Sequence, residues 1–134
     1  MSKISGAPFT TCTIDDSGGT GRDIRNDITN LDWSMPIEFQ DSTGLDKVAM
    51  ERIALLSDFQ LTLNGIPNFD TNMSHDVLKD FNTGVARTVV LGIGGASLTN
   101  EVLIAGYNIS RGNTAEMTWE SSASLSDGTL PTWA

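Results

Sequence analysis

Residues 28–35 read Ile-Thr-Asn-Leu-Asp-Trp-Ser-Met, and polar and apolar side chains alternate strictly from Asn30 onward. Every second side chain of an extended strand points to the same face. Leu31, Trp33 and Met35 therefore fall on one side, and the polar residues between them fall on the other. This period of two predicts a β-strand with one buried face and one face in water.

Similar patterns recur along the rest of the chain. Strands are predicted where alternating or β-branched residues are bounded by Gly, Asn, Asp or Pro. The predicted strands are residues 9–14, 28–35, 59–63, 86–92, 98–109 and 115–121. No internal repeat or linker interrupts them. We therefore expect residues 1–134 to form one domain with short arms at residues 1–8 and 126–134.

One segment has helical spacing instead. Across residues 45–57 the apolar side chains recur at steps of three and four, and Thr43 and Asp46 have the spacing of a capping box. A shorter helix is predicted over residues 74–81, with Ser74 as its N-cap. A helix with one apolar stripe must cover a partner. The expected fold is therefore mainly β (α+β), with two packed β-sheets forming a sandwich or barrel and a flanking helix over residues 45–57.

The composition narrows the function classes. The net charge is −9, from 17 acidic and 8 basic residues, which argues against a protein that binds nucleic acid through clustered cations. The chain has one His, one Cys and one Tyr, so the usual catalytic bases and transition-metal ligands are scarce. No apolar run approaches the length of a membrane span, and residues 1–8 lack the apolar stretch of a signal peptide. We therefore expect a soluble protein that is made inside a cell.

The motifs that could carry chemistry are weak. The glycine-rich residues 91–96 lack the Lys-Ser/Thr ending of a phosphate loop, and residues 15–18 lack the spaced carboxylates of a calcium loop. Residues 74–76 contain triad residue types, but adjacent residues do not converge as a triad does. A carboxylate pair for glycoside hydrolysis could come only from Asp32, Glu38, Glu101, Glu116 and Glu120, without the stacking aromatics that sugar clefts need. No catalytic residue, cofactor or metal ligand is predicted.

The surface of the predicted sheet is more informative. The polar sides of three predicted strands would together form one polar, acidic face, for which the ordinary solvent face of an antiparallel sheet is the simplest account. The candidate residues on this face are Asp32, Gln60, Thr62, Glu116, Thr118 and Glu120. Trp133 lies in a polar tail without local packing partners. It either folds back on its own core or anchors a neighbouring subunit.

Taken together, several stretches resemble the small tail tube (major tail) proteins of long-tailed bacteriophages and gene transfer agents. These stretches are IDDSGGTGRDI at residues 14–24, NDIT at 26–29, TGLDK at 43–47, MER at 50–52, NEVL at 100–103 and SDGTLPTW at 126–133. The resemblance covers nearly the full length of the chain.

The resemblance implies a structural virion protein that forms stacked rings of six subunits. The inner sheets would join into one barrel around a channel with a negative wall, so that DNA passes during ejection without being held. The polar, acidic face described above would then line this lumen. The partners implied are further copies of the chain and proteins of the tape-measure and tail-terminator types. The expected location is the virion tail, after synthesis in the host cytoplasm.

Larger family members use long insertions between rings, and this chain has little room for them. Contacts between subunits are therefore assigned to residues 1–8, residues 66–84 and the C-terminal arm. The candidate contact residues are Phe69, His75, Leu130 and Trp133. A capsid decoration protein or other virion accessory protein, and a carbohydrate- or calcium-binding β module, remain as alternatives.

Overall fold

A computed structural model describes Ser5, Ala7 and residues 9–134. The other residues of the expected N-terminal arm lie outside this part. The strands are β1 (Phe9–Asp15), β2 (Gly21–Asp23), β3 (Ile28–Ser34), β4 (Ile37–Asp41), β5 (Arg52–Ser57), β6 (Gln60–Gly65), β7 (Arg87–Ile93), β8 (Ala96–Arg111) and β9 (Met117–Leu125). The α-helix α1 is Ser74–Leu78, and two 3₁₀ turns span Arg25–Asp27 and Phe81–Thr83.

Seven strands form one antiparallel sheet in the order β2-β1-β7-β8-β9-β6-β3. The long strand β8 joins its two halves, because its first part pairs with β7 up to Val102 and its second part pairs with β9 from Val102 to Arg111. A register shift between Ile104 and Gly106 marks a bulge, a feature that bends a strand. We call β2, β1, β7 and the first part of β8 the back layer, and β3, β6, β9 and the second part of β8 the front layer.

The two layers enclose the core, which gives the sandwich-like, mainly β fold that the sequence predicts. Buried side chains from both layers form one cluster: Cys12, Ile14, Ile24, Phe59, Leu61, Leu63, Val77, Leu78, Val89, Leu91, Leu98, Val102, Trp119 and Ala123. Fully burying one large apolar side chain stabilises the fold by about 1.5–3 kcal/mol. The one-sided burial predicted for residues 28–35 is confirmed, since Leu31, Trp33 and Met35 pack against this cluster.

Helix α1 is held in place by a distant carboxylate. Asp27 is only 4% exposed, and its Oδ2 accepts a hydrogen bond of 3.0 Å from the backbone N–H of Ser74. Its Oδ1 accepts another of 3.0 Å from the side-chain amide of Asn68. The predicted N-cap role of Ser74 is wrong, because Ser74 is the first helical residue and the capping position, Met73, makes no side-chain cap. Asp27 satisfies this otherwise unpaired helical N–H instead.

A buried arginine holds the last turn of α1 and the end of β1. Arg87 is 1% exposed, and its Nη1 donates to the backbone carbonyl oxygens of Val77 and, at 3.3 Å, Asp15. Burial lowers the pKa of the guanidinium, because a low-dielectric environment disfavours the charged form. These bonds fasten the last turn of α1 to the back layer, since Asp15 ends β1 and Arg87 begins β7.

The predicted helix over residues 45–57 is wrong. Residues 37–57 form a hairpin arm in which β4 and β5 pair only with each other, with Phe39 opposite Ala54 and Gln40 opposite Ile53. The spacing of apolar residues did not reflect one buried stripe, because apolar side chains on both faces of this hairpin are exposed. The run Ile53 to Leu56 is short and continuous, a pattern that fits a strand as well as a helix.

Candidate functional site

The strand register places most of the predicted polar residues on one face of the front layer. Asp32 lies directly opposite Thr62, and Thr62 lies opposite Ser122 on the next strand. Glu120 lies between Asn64 and Asn108 in the same way. Directly opposed residues share a face of the sheet. Asp32, Gln60, Thr62, Thr118 and Glu120 are therefore side by side, as predicted, and all but half-buried Thr62 are exposed.

Glu116 does not belong to the ladder. The predicted strand 115–121 begins at Met117 instead, because Ala115 has a φ of 72° and Gly112 N–H closes the turn onto the carbonyl of Glu116 at 2.8 Å. The Glu116 carboxylate accepts a hydrogen bond from the hydroxyl of Thr114, and this bond lowers the pKa of Glu116 below its ordinary value. The side chain lies at the β8–β9 turn.

Several residues of this face were missed in the sequence. They are Asn64, Asn108, Ser110, Ser122 and Ser124. Asn30 and Ser34 lie on the same face, as the alternation of residues 28–35 predicts, and exposed Leu103 lies on it opposite Ser124. The alternation of Ser122 and Ser124 with Ala123 and Leu125 was a usable signal that β9 continues to Leu125. The complete set, which we call the polar face, carries hydroxyl and amide groups, two carboxylates (Asp32 and Glu120) and one exposed apolar side chain, Leu103. It contains no Lys or Arg.

The opposite side of the same strands fixes this arrangement. Leu61, Leu63, Trp119 and Ala123 alternate with the polar residues and are buried in the core. A shift of one residue in register would exchange the two faces and bury the polar set. Trp119 is further fixed by a hydrogen bond of 3.2 Å from its Nε1 to the backbone oxygen of Asp27. The core therefore determines which side chains the polar face displays.

The front layer has unpaired backbone along both edges. Strand β3 pairs only with β6, so its other edge has no strand partner in the described part of the chain. Strand β8 pairs with β7 only as far as Val102, and beyond that residue its edge facing away from β9 has no strand partner there either. Unpaired edges present rows of N–H and C=O groups that can pair with another chain.

Two predicted contact residues, Phe69 and His75, follow the Gly65 end of β6, which is the end away from the hairpin arm. The ring of Phe69, which is 59% exposed, packs on His75 with centroids 4.7 Å apart. His75 is half-buried, and its Nδ1 lies 3.1 Å from the hydroxyl of Tyr107 in a hydrogen bond. Burial raises the pKa of Tyr107, so this phenol stays protonated at neutral pH and can serve as the donor. The structure thus brings Phe69 and His75 together, and Phe69 remains open to a partner.

The other two predicted contact residues lie in the C-terminal arm, which folds back onto the sheet. Trp133 forms a bridge with Leu98, and Ala134 exchanges two backbone hydrogen bonds of 2.9 and 3.0 Å with Ser97. The ring of Trp133 also lies 6.4 Å from that of Trp33. Trp133 therefore folds back on its own sheet, which is one of the two predicted alternatives. Leu130 and Trp133 are still 39% and 46% exposed, respectively.

The hairpin arm is the largest unpartnered surface that sequence reasoning missed. It carries eight exposed large apolar side chains: Ile37, Phe39, Leu45, Val48, Met50, Ile53, Leu55 and Leu56. None of them belongs to the core or packs against it. Exposed apolar surface of this extent is typical of sites that contact a protein, a membrane or a ligand.

The groups that usually support chemistry are not assembled in the described residues. Within Ser5, Ala7 and residues 9–134, no three His, Cys, Asp or Glu side chains are placed to hold a metal ion. Burial raises the pKa of the Cys12 thiol to about 12, which keeps it protonated and unreactive. In the same part of the chain, no helix is long and apolar enough to cross a membrane.

Solved structures share this rolled, two-layered fold over almost the whole chain. One similar chain belongs to a structure described as the virion of a native gene transfer agent (GTA) particle. The TM-score is 0.78 at 12% identity, over 98% of this chain and 99% of that chain. A second belongs to the tail of an empty GTA particle, computed with helical refinement and C6 symmetry. The TM-score is 0.76 at 14% identity, over 98% and 99%. At these identities the likeness establishes the fold. No protein-family model and no curated protein matches the chain.

Proposed function

We propose that this chain is a tail tube subunit of a virus-like particle, a non-enzymatic structural protein that forms stacked six-membered rings around a passage for DNA. The observation that supports this proposal best is the polar face. This face has no basic residues, and it lies on a sheet layer whose two edges have no strand partner in the described residues. The similarity to a chain from a C6-symmetric GTA tail supports this assignment. A virion tail location, synthesis in the host cytoplasm, and partners of the tape-measure and terminator types follow from the same proposal.

The two open edges give the ring its geometry. The open edge of β3 in one subunit would pair with the open edge of the second part of β8 in the next, which joins the front layers into one continuous sheet. Because the two edges differ, each contact is heterologous, and repetition closes a ring when the rotation per subunit allows it. A closed barrel leaves no unpaired edge in the ring. The polar face would then turn toward the centre.

The chemistry of the polar face suits a passage for a polyanion. Protein groups that hold DNA are mostly Lys and Arg, which neutralise phosphates and release counterions. The polar face carries no Lys or Arg. In each ring of six subunits, Asp32 would contribute one circle of negative charges and Glu120 another. Hydroxyl and amide groups keep the wall hydrated without concentrating positive charge. DNA would therefore move through without being bound.

Electron microscopy and native mass spectrometry of the concentrated protein test the assembly. The expected result is hexamers and tubes with a central channel, with the front layer facing inward. Protein that stays monomeric at every concentration, or tubes whose channel is lined by the back layer, would overturn the proposal.

A charge reversal tests the role of the lumen. Glu120→Lys replaces an exposed carboxylate on the polar face, so folding and ring formation should be kept while particles assembled with the variant deliver less DNA. The matched control is Asp23→Lys, an equal change at an exposed position on β2 of the back layer, outside the polar face and the segments assigned to subunit contacts. Equal DNA delivery by the two variants would contradict a lumenal position for Glu120.

A further inference from the structure

One row of the polar face consists of amide side chains around a single carboxylate. Asn30 lies opposite Asn64 in the ladder. Asn64 and Asn108 lie directly opposite Glu120 on its two neighbouring strands. Directly opposed residues on one face have Cβ atoms about 4.5–5.5 Å apart, so the two amides flank the carboxylate from both sides. The row therefore gathers oxygen atoms from three side chains around Glu120.

The flanked carboxylate lies in a hollow of the polar face with a volume of about 240 Å³. Ser110 and Thr118, which form the next outward pair along the same strands, also line this hollow, and no Lys or Arg does. A water molecule takes up about 30 Å³ in the liquid, so the hollow has room for an ion with several waters.

The chemistry of the lining favours a cation as the occupant. Glu120 is exposed and takes part in none of the salt bridges of the described residues, so its charge has no protein counterion there. An anion would find no basic group in the hollow. A sugar would need an accessible aromatic ring for stacking, whereas the ring in the lining, Trp119, is 1% exposed and belongs to the core.

We propose that the hollow binds an oxygen-preferring divalent cation, Ca²⁺ or Mg²⁺, through the Glu120 carboxylate and the amide oxygens of Asn64 and Asn108. Both ions take carboxylate oxygens as ligands, Ca²⁺ also takes amide oxygens, and waters complete the shell. The hydroxyl groups of Ser110 and Thr118 can accept hydrogen bonds from these waters. Because one carboxylate supplies little charge, half-saturation should lie near about 1 mM.

This inference rests on the proposed function and adds a control over the charge of the lumen. The polar face carries two carboxylates per subunit, Asp32 and Glu120, so one divalent cation per subunit makes the face neutral. In a ring, six copies of each carboxylate would repel one another across a shared wall. Bound cations remove this repulsion, and divalent cations should therefore favour ring formation.

Terbium luminescence excited through tryptophan tests the site, because Tb³⁺ takes the same oxygen ligands as Ca²⁺ and Trp119 lines the hollow. Titrations use monomeric protein, and competition with Ca²⁺ or Mg²⁺ shows which ion the hollow prefers. Glu120→Gln should weaken Tb³⁺ binding roughly tenfold or more, and Asn108→Ala about threefold, because each removes one ligand.

The matched control is Asp32→Asn, which removes the other carboxylate of the polar face. By strand spacing and rise, Asp32 lies about 12 Å from Glu120, beyond the Debye length of about 10 Å at 0.1 M salt. Its loss should leave Tb³⁺ affinity within about twofold of the native value. Native affinity in Glu120→Gln, or equal losses in Glu120→Gln and Asp32→Asn, would overturn the site.

Sedimentation velocity separates this inference from the ring proposal. With about 5 mM Ca²⁺, several times the expected half-saturation, the native chain should form hexamers at a several-fold lower protein concentration than in a chelator. Glu120→Gln should form hexamers at one concentration in both conditions. A native chain that binds cations at Glu120 yet never forms rings overturns the ring proposal and leaves the site standing. Rings whose formation responds equally to Ca²⁺ in the native chain and in Glu120→Gln overturn this inference alone.

Discussion

Replacing Asp27 with alanine should destabilise the fold by about 3 kcal/mol. The change removes an acceptor from two donors at 3.0 Å, the buried N–H of Ser74 and the side-chain amide of Asn68. A hydrogen bond to a charged group contributes about 1.5–3 kcal/mol, and half-buried Asn68 can recover part of its loss from water. For a chain of this size the loss corresponds to a fall in Tm of roughly 10 °C.

Urea unfolding followed by tryptophan fluorescence measures this effect at a protein concentration where the chain is monomeric. Asp27→Asn should lose about half as much, because the amide oxygen still accepts one bond while the amide NH₂ faces the other donor. The control is Asp32→Ala, an exposed carboxylate on the polar face, for which we expect a change within about 0.5 kcal/mol. An Asp27→Ala variant as stable as this control would refute the role assigned to Asp27.

Three further predictions concern folding and reactivity. Gly65→Ala should destabilise the monomer by about 2–3 kcal/mol in the same urea assay, because its Cβ would lie 1.8 Å from the backbone oxygen of Asp27, whereas Gly106→Ala has nothing within 4 Å. Equal losses in the two variants would refute this. Cys12 should resist alkylation at pH 8 in the folded protein and react on unfolding, as mass spectrometry would register; rapid native labelling would contradict its burial. A hydrogen bond from Lys79 and one from a backbone N–H lower the pKa of Asp76 below its ordinary 3.8. The stabilisation from Asp76 is therefore present above about pH 4 and lost as the pH falls through the lowered pKa. In Asp76→Asn, the free energy of urea unfolding should fall less steeply below about pH 4 than in the native chain.

Six of the seven strands of the sandwich could be predicted, because each of the six has a local signal, whereas the three-residue strand β2 has none. In residues 28–35 and in β6, the alternation of polar and apolar residues indicates that one face is buried. This signal is local, so it does not depend on the rest of the chain. The positive φ angles of Gly94 and Gly95 fit the predicted turn between β7 and β8. Strand ends were less accurate, because β9 begins only after the turn that contains Glu116.

The hairpin arm could not be predicted because no partner for it exists within the described chain. Helical spacing of apolar residues predicts a helix only where the apolar stripe faces the body of its own molecule. In the structure these side chains face outward on a hairpin, so the assumption of self-burial fails there. The choice between the two alternatives for Trp133 could not be made from the sequence, because its packing partners Trp33 and Leu98 are far away in sequence.

The edges of the front layer and the hairpin arm lead to one conclusion about the isolated chain. The edge of β3 and the edge of β8 beyond Val102 have no strand partner in the described residues, and neither stretch contains Pro or Lys. Each strand carries a register irregularity, and the turn Phe81–Thr83 contacts β8. The arm likewise exposes apolar side chains that its own body does not cover. The unpaired edges and the exposed arm lower the stability and solubility of an isolated subunit. Neighbouring subunits that pair with the edges and cover the arm would remove this cost. Under the proposed function, sideways pairing would use β3 and β8, and the arm is a separate surface. Substitutions along the two edges should therefore impair ring formation without changing the arm, and substitutions on the arm should leave edge pairing intact.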